Sequence, residues 1–196
     1  ILLVTVKITE SAQIKYFFFF FHFTYYFSIQ QVMKKVFISG ISGQDGAWLA
    51  KLLLTKGYAV YGGVRDTNNF VNWRLNSIGI LGAIQFVNFN LADAYSIERC
   101  IKEIKPDEFY NLAAQSSVVE SFKSPIETSL VDGLGVLLIL EAIKKFSPHT
   151  KFFQASSSEI FGNAKESPQT EDTPLLPANP YAVAKSYAHW MNISYR

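Results

Sequence analysis

Three evenly spaced glycines, Gly40, Gly43 and Gly46, stand between a β-rich apolar run and a stretch with helical periodicity. No other feature constrains the fold of these 196 residues as much. The run 35–39 (KVFIS) reads as a buried strand, and 45–56 as a helix that stops before Gly57. A strand that turns into a helix through glycine makes a bend that a Cβ would resist, and the helix can then lie close against the strand. The alternation continues along the chain. Strands are expected at 58–64, 84–89, 108–112 and 151–155. Helices are expected at 95–104, stopped by Pro106, at 128–145 despite Gly133 and Gly135, and after Pro180. This order predicts parallel βαβ units, and so an α/β fold with a doubly wound parallel sheet of the Rossmann type. Five strands are predicted where such a domain normally carries about six. The last strands and the region that would grip a substrate are therefore expected to lie outside this chain.

Composition narrows the field. About half the residues are apolar, which argues against disorder. The net charge of +2 has no dense Lys/Arg cluster behind it, so no nucleic-acid footprint is expected. Cys100 is the single cysteine, which rules out an intrachain disulfide and fits a cytoplasmic protein. His22, His149 and His189 are scattered, and no metal-ligand pattern is present.

Residues 1–32 stand apart. The chain opens on Ile1, and 16–27 hold ten aromatic residues. This is a biased segment, too short for a membrane span of about 20 residues. As the core of a secretory signal it lacks a small-residue cleavage site at Ser28-Ile29-Gln30-Gln31. Met33-Lys34-Lys35-Val36 reads instead as a natural start running into the first strand. Residues 1–32 are then expected to lie outside the native fold, and 33–196 to form an incomplete dinucleotide-binding domain. Intact mass of the native protein tests this: finding 1–32 attached would refute it.

The loop Gly40-Ile41-Ser42-Gly43-Gln44-Asp45-Gly46 has the chemistry of a pyrophosphate cradle. Glycine permits close backbone approach, and the following helix offers free N–H groups and the positive end of its dipole. Its G-x-x-G-x-x-G spacing is one residue wider than the common form, and its position at the first strand–helix junction is what gives it weight. The second strand ends at Val64-Arg65-Asp66, where a ribose-recognising residue belongs. Arg65 can pair with a 2′-phosphate, which favours NADP, whereas Asp66 can accept from a 2′-hydroxyl, which would suit NAD. Tyr181 and Lys185 lie four apart at the start of the last helix, on one face. The ammonium favours a tyrosinate able to act as a base, and the lysine can also hold a nicotinamide ribose. The fifth strand leads into Gln154-Ala155-Ser156-Ser157-Ser158-Glu159, at the carboxyl edge of the sheet where ligands bind. Ser157 can hydrogen-bond a substrate oxygen, and Glu159 can take or give a proton. Ile160 and Phe161 are expected to desolvate that carboxylate. Each motif alone has a bland reading: a ligand-free glycine turn, a solvated arginine, an ordinary amphipathic helix, a polar loop. Their joint order is far more specific.

From about Met33 to its end the chain resembles the extended short-chain dehydrogenase/reductase family. The marks are the 40–46 loop, Asn111-Leu112-Ala113-Ala114 after the fourth strand, and the Tyr181/Lys185 pair. Gly43-Gln44-Asp45-Gly46, Gln115-Ser116, Val131-Asp132-Gly133 and the 153–159 segment are similar to its GDP-mannose 4,6-dehydratase branch. The resemblance implies catalytic roles for Ser157, Glu159, Tyr181 and Lys185. It implies cofactor contacts from 40–46, Arg65, Asn90, Leu91, Leu112, Ala113, Ala114, Gln115, Ser116, Tyr181 and Lys185. It further implies GDP-mannose or a related nucleotide sugar as substrate, a recycled NADP, and a homo-oligomer. Tyr181, with Ser157 and Lys185, would deprotonate the C4 hydroxyl while the cofactor takes the C4 hydride. Glu159 would remove the C5 proton and help water leave C6, where the hydride returns. Several residues depart from the branch: Ser157 for threonine, Arg65-Asp66 for two arginines, Asn90-Leu91 for Asp-Leu, and Glu127 for a tyrosine near the cofactor.

Two other readings stay open: a related NAD(P)-dependent nucleotide-sugar epimerase or reductase, against which Glu159 argues, and an inactive nucleotide-binding or oligomerising fragment. These 196 residues by themselves are expected to turn over little substrate, and measurable turnover by them would contradict that.

Overall fold

The computed structural model describes residues 33–196, so the expectation for 1–32 lies outside the described residues. The chain from Lys34 onward packs as one unit. It is built on five parallel strands, β1 (Lys35–Ser39), β2 (Ala59–Val64), β3 (Gln85–Asn88), β4 (Glu108–Asn111) and β5 (Lys151–Gln154), in the order β3-β2-β1-β4-β5. Helices α1 (Gln44–Thr55), α2 (Trp73–Ser77), α3 (Ala94–Ile104), α4 (Val118–Lys123), α5 (Pro125–Ser129), α6 (Gly135–Phe146) and α7 (Pro180–Ser194) make the connections. The doubly wound α/β reading holds. The order reverses between β1 and β4, and such a switch point opens a crevice at the carboxyl ends of the strands.

The alternation of side chains along β1 sets the two layers. Val36 and Ile38 face one side, where they pack with Ile41, Ala47, Ala50 and Leu53 around α1. Phe37 faces the other, among Phe89, Phe109, Ile97, Ile101 and Ile139 from α3 and α6. Its ring stacks on Phe109 at 4.7 Å between centroids and tilts against Phe89 at 4.9 Å. Burial on both faces explains why β1 reads as a continuous apolar run.

Helix ends follow the local chemistry. Gly57 takes φ +79° just beyond α1. Asp93 caps α3 by accepting the Tyr95 N–H, and Lys105 takes a left-handed conformation before Pro106. One expectation is corrected. The segment 128–145 is not one α-helix: α5 ends at Ser129, Leu130–Leu134 form a π-helical turn, and α6 begins at Gly135. Crowding at Gly135 accounts for the glycine, since a Cβ there would meet the Leu91 carbonyl oxygen at 2.7 Å. The wide turn coincides with the point where Asp132 is drawn inside. The short helices α2 and α4, and 3-10 turns at Leu81–Ala83 and Ser158–Phe161, were not signalled by periodicity.

Among the described residues no helix is long and apolar enough to cross a membrane, and no group of three His, Cys, Asp or Glu side chains gathers to hold a metal.

Candidate active site

The 40–46 loop is a tight turn closed on itself. Gly43 N–H donates to Gly40 O at 2.9 Å, and Ala47 N–H to Gly43 O at 3.1 Å as α1 begins. Gly40 sits at φ +70°, and a Cβ on it would come within 2.8 Å of Ala113 N. A Cβ on Gly46 would lie 2.5 Å from Gly40 O. The loop is thus pressed between α1 and the segment leaving β4, with room for glycine alone.

In front of it lies a cleft of about 790 Å³. Gly40, Ser42 and Gly43 form its floor, Arg65 and Asn90 one side, and 112–116 the other. Most of the cofactor residues expected from sequence therefore meet here. Six do not line it: Ile41 is fully buried in the core, Gly46 is buried where the loop meets α1, Gln44 and Asp45 stand exposed at the start of α1, and Tyr181 and Lys185 are buried on α7. Ile41 can contribute through its backbone only. Asp66 spends Oδ1 on the N–H of Asn68 at 2.9 Å, in its own loop. Arg65 is exposed, borders the cleft, and has no salt bridge among the described residues. The shape, the glycine floor and the arginine fit a dinucleotide.

A buried hydrogen-bond chain runs from this loop across the sheet edge. Ser39 Oγ accepts the N–H groups of Leu112 and Ala113 at 3.1 and 3.2 Å and donates to Asn111 Oδ1. Asn111 Nδ2 donates to Gln154 Oε1 at 2.8 Å, and Gln154 Nε2 to Ala155 O at 2.8 Å. The same oxygen accepts from Lys185 Nζ at 2.8 Å. The chain links Lys185 to the glycine loop, two strands away. Tyr181 and Lys185 are both buried, and the Lys185 ammonium lies 6.0 Å from the Tyr181 ring centre. Burial pulls the Lys185 ammonium below the usual lysine range, and the Asp132 carboxylate pushes it back up.

Ser157 and Glu159 sit just past β5. Ser157 Oγ accepts the Glu159 N–H at 3.2 Å and caps the turn 158–161. The half-buried Glu159 carboxylate accepts from Asn179 Nδ2 at 2.9 Å. Asn179 also caps α7 by accepting the Ala182 N–H at 2.8 Å, directly before Pro180 and Tyr181. One amide thus ties the glutamate to the start of the Tyr–Lys helix. Ser157, Glu159 and Tyr181 are not among the walls of the glycine-floored cleft. They stand on its β5 side, a strand further along.

Residues 37–196 match the family described as GDP-mannose 4,6 dehydratase. The chain belongs to the GDP-mannose 4,6-dehydratase family. It is 45% identical over 170 residues to the GDP-mannose 4,6-dehydratase of Vibrio cholerae, covering 83% of this chain and 46% of the relative. It is 42% identical over 167 residues to the human enzyme, covering 81% and 45%. The chain spans about half the length of the curated relatives it matches. Among solved structures, the dTDP-glucose 4,6-dehydratase from Bacillus anthracis in complex with NAD is similar at a TM-score of 0.68 and 26% identity, over 83% of this chain and 50% of that one.

Sequence reasoning on this GDP-mannose 4,6-dehydratase family chain missed Ser39, Asn179 and the role of Asp132. Asn179 carried a signal: an asparagine before proline at a helix start is a cap. Ser39 carried none beyond its position at the end of β1.

Proposed function

We propose that the whole protein dehydrates GDP-mannose to GDP-4-keto-6-deoxymannose, with NADP as a recycled hydride carrier. The observation that supports this reading is the Asn179–Glu159 bond, which ties the Glu159 carboxylate to the start of the helix that carries Tyr181 and Lys185. A site for simple oxidation or epimerisation has no use for that extra carboxylate.

Tyr181, with Lys185 one turn away, takes the proton from the sugar C4 hydroxyl, which Ser157 orients. A nicotinamide dinucleotide held by the 40–46 loop and Lys185 would supply storage for the hydride that leaves C4 and is returned to C6. The C4 ketone makes the C5 hydrogen acidic, and Glu159 takes it and passes a proton to the departing C6 hydroxyl. Tyr181 returns its proton to C5, so substrate becomes product plus water and the cofactor would end as it began. Incubating the full-length protein with GDP-mannose and NADP⁺ and following the nucleotide sugar by mass spectrometry tests this. Loss of one water with oxidised cofactor is expected. An unchanged sugar mass, with the cofactor shown to bind, would shift the reading to another nucleotide sugar or to an epimerase.

Arg65 and Asp66 both border the cleft, and NADP is favoured over NAD because Arg65 can pair with a 2′-phosphate while Asp66 spends one carboxylate oxygen on its own loop. Arg65→Ala is expected to weaken NADP⁺ binding roughly 10- to 100-fold, the worth of a charge-assisted hydrogen bond, and to leave NAD⁺ binding nearly unchanged. Equal affinities of the variant and the wild type for NADP⁺ would refute the assignment. A homo-oligomer is favoured by the packed helices α4, α5 and α7, which expose Phe122, Ile126, Val183 and Trp190.

A further inference from the structure

Glu159 is pinned through its main chain by contacts that leave its carboxylate alone. Its N–H donates to Ser157 Oγ at 3.2 Å, and the following carbonyl, Ile160 O, accepts the Leu176 N–H at 3.1 Å. Gly162 ends the turn at φ +48°, where a Cβ would run into the Leu176 carbonyl oxygen. The loop between Gly162 and Leu176 is thus clasped at its neck, just ahead of α7. The carboxylate is held differently. Oε2 accepts from Asn179 Nδ2 at 2.9 Å, and Oε1 has no hydrogen bond among the described residues. No Lys, Arg or His pairs with it there. A cation would fix the carboxylate by neutralising it, whereas a single neutral amide sets its direction and leaves its charge in place. Asn179 can aim that amide because its other end is anchored: Oδ1 accepts the Ala182 N–H at 2.8 Å in the first turn of α7.

We propose that Asn179 is a positioning residue for Glu159: its amide locks the carboxylate to the first turn of α7, so that Oε1 is the oxygen that takes the C5 proton. This rests on the reading of Glu159 as that base, and it assigns the held and the reacting oxygen within it. Without the amide, the main chain of the turn stays in place and the carboxylate rotates among its staggered rotamers. Oxidation at C4 uses Tyr181, Ser157 and Lys185 and does not involve the Asn179 amide.

Asn179→Ser separates the amide from the cap. Serine caps a helix about as well as asparagine but carries no amide to hold Glu159, whereas Asn179→Ala removes both contacts. The full-length protein is given GDP-mannose and NADP⁺, and rapid quench with mass spectrometry follows C4 oxidation and loss of water separately. Both variants are expected to oxidise C4 within about twofold of the wild-type rate and to lose water roughly tenfold more slowly, since the freed carboxylate spends most of its time turned away. Thermal stability falls in Asn179→Ala alone. Deuterium at C5 of the sugar slows Asn179→Ser by a larger factor than it slows the wild type, and deuterium at C4 does not, whereas a purely structural lesion would slow both steps. Loss of water at the wild-type rate in Asn179→Ser, or a deficit confined to Asn179→Ala, overturns the proposal. The serine variant decides it even where the alanine variant fails to fold. Glu159→Gln distinguishes this from the reading beneath it. A normal rate in Glu159→Gln strikes the role of the glutamate itself, whereas a slow Glu159→Gln beside a normal Asn179→Ser strikes the positioning role alone.

Discussion

Glu159→Gln in the full-length protein is expected to lower the rate of GDP-mannose dehydration by about 10²–10⁴-fold, the usual worth of a positioned general base. The substitution is nearly isosteric. A glutamine oxygen can still accept from Asn179 Nδ2, so the turn 158–161 and the cap of α7 should persist. What is lost is the charge that can take the C5 proton. In the proposed mechanism oxidation at C4 relies on Tyr181 and Lys185, which the change does not touch, so a 4-keto sugar that still carries its C6 hydroxyl should accumulate on the enzyme. Rapid quench and mass spectrometry would detect it. Dehydration at the wild-type rate would remove Glu159 from the chemistry and leave its bond to Asn179 as a structural tie.

The second large effect belongs to the glycine loop. Gly46→Ala is expected to destabilise the protein by about 1–3 kcal/mol through overpacking and to weaken cofactor binding on the order of 100-fold. A Cβ at Gly46 would lie 2.5 Å from Gly40 O and 2.8 Å from Ile41 Cα. Both are backbone atoms, so no side chain can rotate aside. The loop itself must move, and with it the N–H groups that would meet a pyrophosphate. Gly82→Ala is the matching control, because a Cβ there meets nothing within 4 Å. Thermal unfolding and calorimetric titration of both variants measure the contrast. Equal behaviour of the two would show that the close approach at Gly46 is dispensable.

What the sequence disclosed and what it hid divide along physical lines. Strands such as β1, buried on both faces, announce themselves as short apolar runs, and the glycines between β1 and α1 mark a turn that few residues can make. The order of motifs along the chain then fixed which sheet edge they share. Helix 128–145 was misread because a π-turn leaves hydrophobic spacing almost unchanged while shifting which side chain points inward. The inward-turned residue, Asp132, looks like any surface aspartate in sequence, and only its burial and its bond to Gln115 reveal its place. The Ser39–Asn111–Gln154 chain is invisible for a related reason. Its members lie 72 and 43 residues apart and meet only because β1, β4 and β5 are neighbours in register. Likewise, Glu159 and Asn179 are 20 residues apart and are joined by the path of the intervening loop. Sequence pattern reports local periodicity and does not report pairing across the sheet.

The central claim, dehydration by an internal hydride return, is tested most directly with GDP-mannose carrying deuterium at C4 of the sugar. The full-length protein is supplied with NADP⁺, and the product is examined by NMR. The account expects deuterium to appear at C6 of a 4-keto-6-deoxy product, within the same sugar. Deuterium retained at C4 of a sugar that has lost no water, or lost altogether from the dehydrated product, would contradict it.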